Sequence, residues 1–331
     1  MKKQLLIIIG ITFLFVLVGC STDNKEETTE EDTTDTQESS DSADSDDEEK
    51  AAELSDIGGK ELEGDLSHAH GMGYEENGER ILFGTHIGLR YFEDGTWYEV
   101  TENQNDFMGF TVFDEGFYTS GHPSAQSDLP NPIGIQKSVD GAQNLESIDF
   151  VGETDFHFLT VGYKSHDLLL YNPDKNSKLD QGFHISQDEG ESWKKVDASG
   201  LEGDYMEIAL HPVDSNLVAV STTQGVYLSQ DGGNEFDLLS DGGQGIGVFF
   251  SEDTLYYSTY SGNANFIAYD LEADNREELN LPQLNQDAPL FISQNPQNEE
   301  EFAIYTIEDQ AYISEDGTDS WKQILKDGSV Q

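Results

Sequence analysis

The sequence predicts an all-β fold, a six-bladed β-propeller of four-stranded antiparallel blades, preceded by a signal peptide and a disordered acidic tether. Three observations predict it. A turn motif centred on aspartate recurs at intervals of 43 to 48 residues, with one interval of 85. A second repeat, an acidic residue followed by mostly apolar residues, occurs with the same period. No segment shows the periodicity of 3.6 residues that is typical of an amphipathic helix.

Residues 1–19 have the features of an export signal. Lys2 and Lys3 precede an apolar run, residues 5–18, which is shorter than a membrane-spanning helix. Cys20, the only cysteine of the chain, follows directly after Gly19. The segment Leu17-Val18-Gly19-Cys20 resembles the bacterial lipobox, whose cysteine is lipidated. This resemblance implies an extracytoplasmic lipoprotein, anchored by diacylglyceryl and palmitate-type chains on Cys20 to the outer face of the bacterial cell membrane.

Residues 20–57 predict a lipid-anchored, disordered linker. Ser, Thr, Asp and Glu dominate this segment, and Leu54 is the only large apolar side chain between residues 21 and 56. Such a composition buries too little apolar surface to offset the chain entropy lost on folding. Residues 58–331 then form the propeller. The formal net charge of −51 repels phosphate backbones and argues against a nucleic-acid partner.

The first repeat predicts tight turns with a structural role. Ser186 to Trp193 matches the Asp-box pattern S-x-D-x-G-x-x-W at every defined position. In such a turn the Ser and Asp side chains accept hydrogen bonds from nearby backbone N–H groups, and glycine takes a positive φ. The five aspartates of the complete and degenerate motifs are Asp94, Asp140, Asp188, Asp231 and Asp316. Asp270 falls in the one empty interval, so six units result.

The second repeat predicts the innermost strand of each blade. Residues 106–112, 155–161 and 204–210 align without gaps, and residues 70–74 occupy the same place in the first blade. Runs rich in β-branched and aromatic residues predict the second strands. These runs are residues 81–84, 116–120, 168–171, 217–221, 254–259 and 302–306.

Five histidines are expected to share one face of the propeller. Successive turns of a blade alternate between the two faces, so the starts of inner strands and the loops between second and third strands lie opposite the Asp-boxes. The two longest insertions, residues 122–133 and 172–181, are expected on this face as well, and such loops commonly carry function. The five residues are His68, His70, His86, His122 and His157.

Three hypotheses follow for this face. The favoured one is the binding of a protein, a peptide or a glycan, for example another envelope protein. A second is glycoside hydrolysis by a pair of carboxylates, for which Asp106 and Asp155 at the starts of adjacent inner strands are the candidates. A third is a copper or zinc site formed by the five histidines. The residues do not require any cofactor.

The Asp-boxes resemble the bacterial neuraminidase repeat (BNR) of sialidases and of sortilin-like propellers. The segments 67–71, 84–89, 120–124 and 128–132 resemble a family of bacterial exported propellers commonly labelled as glycosyl hydrolases. That label rests on the repeat and implies no catalytic pair. Sialidases bind a sugar carboxylate with three arginines. This chain has only Arg80, Arg90 and Arg276, and we expect Arg80 and Arg276 in turns, which argues against sialidase activity.

Overall fold

Six antiparallel β-sheets follow one another along the chain in the computed structural model, which describes residues 57–331. Each sheet is one blade and is built from consecutive strands, so the predicted six-bladed all-β propeller is confirmed. The predicted signal peptide, Cys20 and nearly all of the acidic tether lie outside the described residues. Among residues 57–331, no helix has the length and apolarity needed to cross a membrane.

In blades 2 to 5 the chain runs from the inner strand outward. Blade 1 contains β1 (Lys60–Glu61), β2 (Ala69–Tyr74), β3 (Arg80–Thr85), β4 (Gly88–Glu93) and β5 (Thr96–Glu99). Blade 2 contains β6 (Asp106–Phe113), β7 (Gly116–His122), β8 (Ile135–Ser138) and β9 (Glu146–Asp149). Blade 3 contains β10 (Leu159–Val161), β11 (Leu168–Asn172), β12 (Gly182–Ser186) and β13 (Lys194–Lys195).

The other three blades repeat this order. Blade 4 contains β14 (Tyr205–Leu210), β15 (Val218–Thr222), β16 (Gly225–Ser229) and β17 (Asp237–Leu238). Blade 5 contains β18 (Gln244–Phe250), β19 (Thr254–Tyr260), β20 (Ala264–Asp270) and β21 (Asn275–Leu279). Blade 6 contains β22 (Pro289–Asn295), β23 (Asn298–Thr306), β24 (Ala311–Ser314), β25 (Lys322–Lys326) and β26 (Ser329–Val330).

Blades 1 and 6 have five strands, one more than predicted. In blade 1 the first strand, β1, pairs with the outer strand β5, and in blade 6 the last strand, β26, pairs with β25. Backbone hydrogen bonds from Leu66 N to Gly328 O (2.8 Å) and from Val330 N to Gly64 O (3.3 Å) then join the two blades. Trp97 adds a hydrogen bond from its indole nitrogen to Ile324 O (2.9 Å). These contacts close the ring.

Five of the six inner strands have a β-bulge near their first residues. In blades 1, 2, 4 and 6 the pairing with the second strand skips one residue, and in blade 5 it skips two. The skipped residues are His70, Met108, Met206, Ile246 with Gly247, and Leu290. A bulge changes the direction of the side chain of the extra residue. In these five blades, the extra residue therefore occupies an equivalent position.

Blade 3 departs from this pattern. Its inner strand β10 begins only at Leu159, so the predicted strand segment from Asp155 to Phe158 is irregular. The segment is attached to both neighbouring strands, because Phe156 N donates to Ser120 Oγ (2.9 Å) and Tyr171 N donates to Phe158 O (3.0 Å). Bonds of this kind replace the regular ladder there.

Four Ser-x-Asp turns join third and outer strands and share one hydrogen-bond pattern. At Ser186, the hydroxyl donates to Asp188 Oδ1 (2.7 Å) and accepts from Gly190 N (2.8 Å), while Asp188 Oδ1 accepts from Ser192 N (2.8 Å). Hydrogen bonds from the Ser192 hydroxyl, from Ser192 N and from the Ser186 hydroxyl lower the pKa of the Asp188 carboxyl. The corresponding Ser and Asp positions are 138 and 140, 229 and 231, and 314 and 316. At Asp94 the turn is a two-residue hairpin with positive φ at Asp94 and Gly95.

Candidate functional site

The five predicted histidines lie on the face where the inner strands begin, opposite the Ser-x-Asp turns. His68 directly precedes β2, and His70 is its second residue. His86 is in the β3–β4 loop, His122 ends β7, and His157 precedes β10. We call the surface formed by these five residues the histidine face. The structure brings them into two clusters, and each cluster contains one of the predicted aspartates.

The first cluster consists of His70, His86 and Asp106. His70 Nε2 lies 3.3 Å from His86 Nε2 and 3.4 Å from His86 Nδ1. His86 Nδ1 lies 2.9 Å from Asp106 Oδ1. One potential ligand atom from each of the three residues falls within 4.8 Å of the others. The cluster thus places two imidazoles and one carboxylate within reach of one another.

His68 and a residue of blade 6 extend the first cluster. The ring of His68 lies 4.9 Å from that of His70 between centroids, and His68 Nδ1 is 2.6 Å from Asp309 Oδ1. Asp309 also accepts a hydrogen bond from Tyr305 Oη (2.5 Å), whose oxygen accepts one from Ala69 N (3.2 Å). His68 is thus held by a carboxylate that is itself tied to the core.

The second cluster is centred on Asp155. Its Oδ2 atom lies 2.8 Å from His157 Nε2 and 3.3 Å from His122 Nε2. His122 is held from its other nitrogen, since His122 Nδ1 is 2.8 Å from Asn131 Oδ1 in the insertion. The second oxygen, Asp155 Oδ1, is buried and has no hydrogen-bond partner among the described residues.

The two clusters differ in protonation. Burial is the main cause that lowers the pKa of His70 to about 4, and the nearby His86 and His68 lower it further, so this imidazole is neutral at neutral pH. The hydrogen bond to Asp155 raises the pKa of His157 and favours its imidazolium form. A neutral imidazole offers a lone pair to an ion or a donor, whereas an imidazolium attracts an anionic group.

Two acidic residues of interest were not among the predicted candidates. Asp309 lies in the β23–β24 loop, the place that His86 occupies in blade 1, and it reaches His68 only because the ring closes. Glu207 follows the bulge of β14 and lines the propeller axis. Glu207 could have been noticed in the sequence, because a carboxylate stands there at the position where blades 1 and 2 have Gly71 and Gly109.

The three arginines pair with different carboxylates. Arg80 Nε lies 2.8 Å from Glu93 Oε1, Arg90 Nη2 lies 3.0 Å from Glu99 Oε2, and Arg276 Nη1 lies 3.5 Å from Asp241 Oδ1. Arg80 and Arg276 are strand residues of β3 and β21, so the expectation that both lie in turns was wrong. Strand pairing with Glu93 and Tyr269 fixes them there.

Comparison with known proteins identifies the fold. No protein-family model matches the chain, and no curated protein sequence matches it. A GH74 enzyme of Niastella koreensis is similar in structure, with a TM-score of 0.54 and 15% identity over 81% of this chain and 47% of that chain. The GH74 xyloglucanase of Xanthomonas campestris gives 0.52 and 16% over 81% and 47%.

A third similar structure is the Cps50 (Swd1) β-propeller domain of Myceliophteria thermophila, with a TM-score of 0.51 and 9% identity over 80% of this chain and 88% of that chain. The chain spans about half the length of the two GH74 proteins. At these identities the likeness concerns the fold, and the same fold carries enzymes as well as other propellers. The chain has the fold of a six-bladed β-propeller.

Proposed function

We propose that this protein binds a divalent transition-metal ion, zinc or copper, on its histidine face, through His70 Nε2 and His86 Nε2. The observation that carries the proposal is their separation of 3.3 Å. Two nitrogens bound to one tetrahedral ion at about 2.0 Å lie about 3.3 Å apart. The two imidazoles therefore stand at the spacing that a shared ion requires.

Asp106 supports the same assignment. An ionised carboxylate only accepts hydrogen bonds, so the contact of 2.9 Å to Asp106 places the proton of His86 on Nδ1 and its lone pair on Nε2. Metal-binding histidines commonly donate their other N–H to a carboxylate, which fixes the ring and increases its basicity. His68 and Asp309 form a second imidazole–carboxylate pair beside the same point.

The choice of metal follows from the donors. Imidazole nitrogens suit zinc and copper, whereas calcium and magnesium prefer a site made of oxygens. A bound ion with open coordination positions would serve as the point of attachment for a peptide, protein or glycan ligand on this face. The ligand-binding hypothesis and the metal hypothesis are in this way one proposal.

The contacts of Asp106 and Asp155 favour metal binding over the glycosidase hypothesis. Asp106 and Asp155 each hydrogen-bond to imidazole, an arrangement that serves to orient histidines. Hydrolysis of a glycoside by this pair stays a prediction, and the loss of any hydrolytic activity on substitution of both aspartates by alanine would support it.

Metal content tests the proposal. The full chain, purified without chelators or affinity metals, is analysed by elemental mass spectrometry and then titrated with zinc and copper against a chromophoric chelator. We expect one ion per chain, lost in His70→Ala and His86→Ala. His166→Ala, on the opposite face, is the matched control and keeps the ion. Absence of binding in the unmodified protein, or full retention in both variants, contradicts the proposal.

We also propose that Cys20 anchors the protein to the outer face of the membrane, with residues 20–57 as the tether. The lipobox-like segment supports this. Cys20→Ser is expected to move the protein from the membrane fraction to the medium and to abolish labelling by palmitate. A Cys20→Ser protein that remains in the membrane fraction would exclude this anchor.

A further inference from the structure

A cavity of about 490 Å³ runs along the propeller axis, separate from the histidine face. All six inner strands line it. In each blade the lining starts just past the bulge or the irregular segment. The first lining residues are Gly71, Phe110, Leu159, Glu207, Val248 and Phe291. The lining continues to the turns after the inner strands, on the face of the Ser-x-Asp turns.

Glu207 is the one carboxylate at the histidine-face end of this cavity. It is half-buried, and its Oε1 accepts a hydrogen bond from the adjacent backbone, Ile208 N (2.9 Å). Burial raises the pKa of Glu207 to about 8, against a smaller lowering by the hydrogen bond from Ile208 N. The attraction between a cation and a carboxylate is stronger in such a place than at an exposed carboxylate, because the effective dielectric constant is lower.

The residues that line the cavity between Glu207 and the opening are mostly apolar by type. Val112, Val161, Leu210, Val248 and Ile292 line this part with the small side-chain surface that packing between the blades leaves exposed. The threonines at positions 111 and 160 interrupt the apolar wall. Apolar surface of this kind favours contact with an aliphatic chain over contact with a polar one.

The opening of the cavity is acidic. Glu76, Glu252, Asp253 and Glu299 lie there, and Lys164 is the one cation in the lining. Lys164 Nζ is neutralised by Glu76 Oε1 at 2.7 Å and by Asp114 Oδ2 at 3.6 Å. An acidic opening attracts cations and repels anions.

We propose that the axial cavity binds a primary ammonium group carried on an aliphatic chain, with the ammonium paired to Glu207 and the chain against the apolar walls. The ligand enters from the face of the Ser-x-Asp turns. This site is distinct from the metal site in both residues and face. The same chemistry is found in free alkylamines and in lysine side chains.

Calorimetric titration of the full chain with hexylammonium tests the proposal. Hexanol and hexanoate, which have the same chain length, are the ligand controls. We expect hexylammonium to bind at least about tenfold more tightly than hexanol, and hexanoate not to bind. A second titration uses N-acetyl-lysine amide. Binding of this compound would show that lysine side chains also enter the cavity, and absence of binding would show that the site takes free amines only.

Variants locate the site. Glu207→Gln is isosteric and should reduce the affinity for hexylammonium to that for hexanol, whereas Glu252→Gln at the opening should change it less than about threefold. His86→Ala should bind hexylammonium as the unmodified protein does. Equal binding of hexylammonium and hexanol by the unmodified protein overturns the proposal without any variant, and so does undiminished binding by a folded Glu207→Gln protein.

Discussion

His86 Nδ1 and Asp106 Oδ1 are 2.9 Å apart and belong to different blades, since His86 lies in the β3–β4 loop and Asp106 begins β6. The contact joins blade 1 to blade 2 at the histidine face. It directs the second nitrogen of His86 toward His70, whose own pKa is lowered by burial. The geometry of the proposed metal site therefore depends on how two blades pack against each other.

Removal of the Asp106 carboxylate is expected to weaken metal binding without abolishing the fold. In Asp106→Ala the His86 ring loses the partner that fixes its tautomer, so the affinity for zinc should fall by about 10- to 100-fold. Competition with a chromophoric chelator measures the change. Asp155→Ala, in the second cluster, is the control and should bind zinc unchanged. Equal losses of zinc affinity in the two variants would contradict a specific role of Asp106.

The Ser186 hydroxyl should stabilise its blade. In Ser186→Ala, Gly190 N loses its hydrogen-bond acceptor in a buried position, and the free energy of unfolding should decrease by about 1–3 kcal/mol. Urea denaturation measures it. Ser199→Ala, at an exposed serine, should change stability by less than about 0.5 kcal/mol. An unchanged midpoint for Ser186→Ala would show that the turn does not need this hydroxyl.

Gly109 should not tolerate a side chain. A Cβ atom there would overlap Phe156 O, a backbone atom of the next blade, which cannot move away as a flexible side chain can. We expect Gly109→Ala to decrease the free energy of unfolding by about 1–3 kcal/mol or more. Gly58→Ala, with no atom near its added Cβ, should be neutral. Thermal denaturation of both variants compares them, and equal melting temperatures would contradict the close packing of blades 2 and 3.

Glu207 should make the fold less stable as the pH rises. Its pKa is about 8 in the folded chain and near the ordinary value of 4.5 in the unfolded chain. The unfolded state therefore releases this proton first, and the stability contributed by the protonated carboxyl, full below pH 4.5, is lost as the pH rises toward 8. The difference in stability between Glu207→Gln and the unmodified protein should grow in favour of the variant over this range. Urea denaturation at several pH values measures it, and a constant difference would contradict the raised pKa.

Short repeated motifs were sufficient to predict the number of blades and the second strands. Aspartates at a regular interval mark one turn per blade, and β-branched residues mark the strands between them. The same repeats placed His86 and His122 on one face because turns alternate strictly between faces. Patterns of this kind involve residues that are close to one another in the sequence, so they can be recognised from a single sequence.

Contacts between distant segments could not be predicted in this way. Asp309 reaches His68 only after blade 6 closes onto blade 1, a contact between residues 241 positions apart. The bulge at His70 and the irregular segment before Leu159 depend on pairing with other strands. The environment of Glu207 depends on all six inner strands together, so its raised pKa has no local signal in the sequence.

The recurring bulge also bears on how such a protein can change. Because each inner strand other than β10 carries its extra residue at the same point, the backbone there already accommodates histidine, methionine, isoleucine and leucine. New donor atoms can therefore be introduced one blade at a time without moving the strand register. Substitution of the bulge residues, by natural selection or by design, can change binding specificity while the rest of the propeller stays the same.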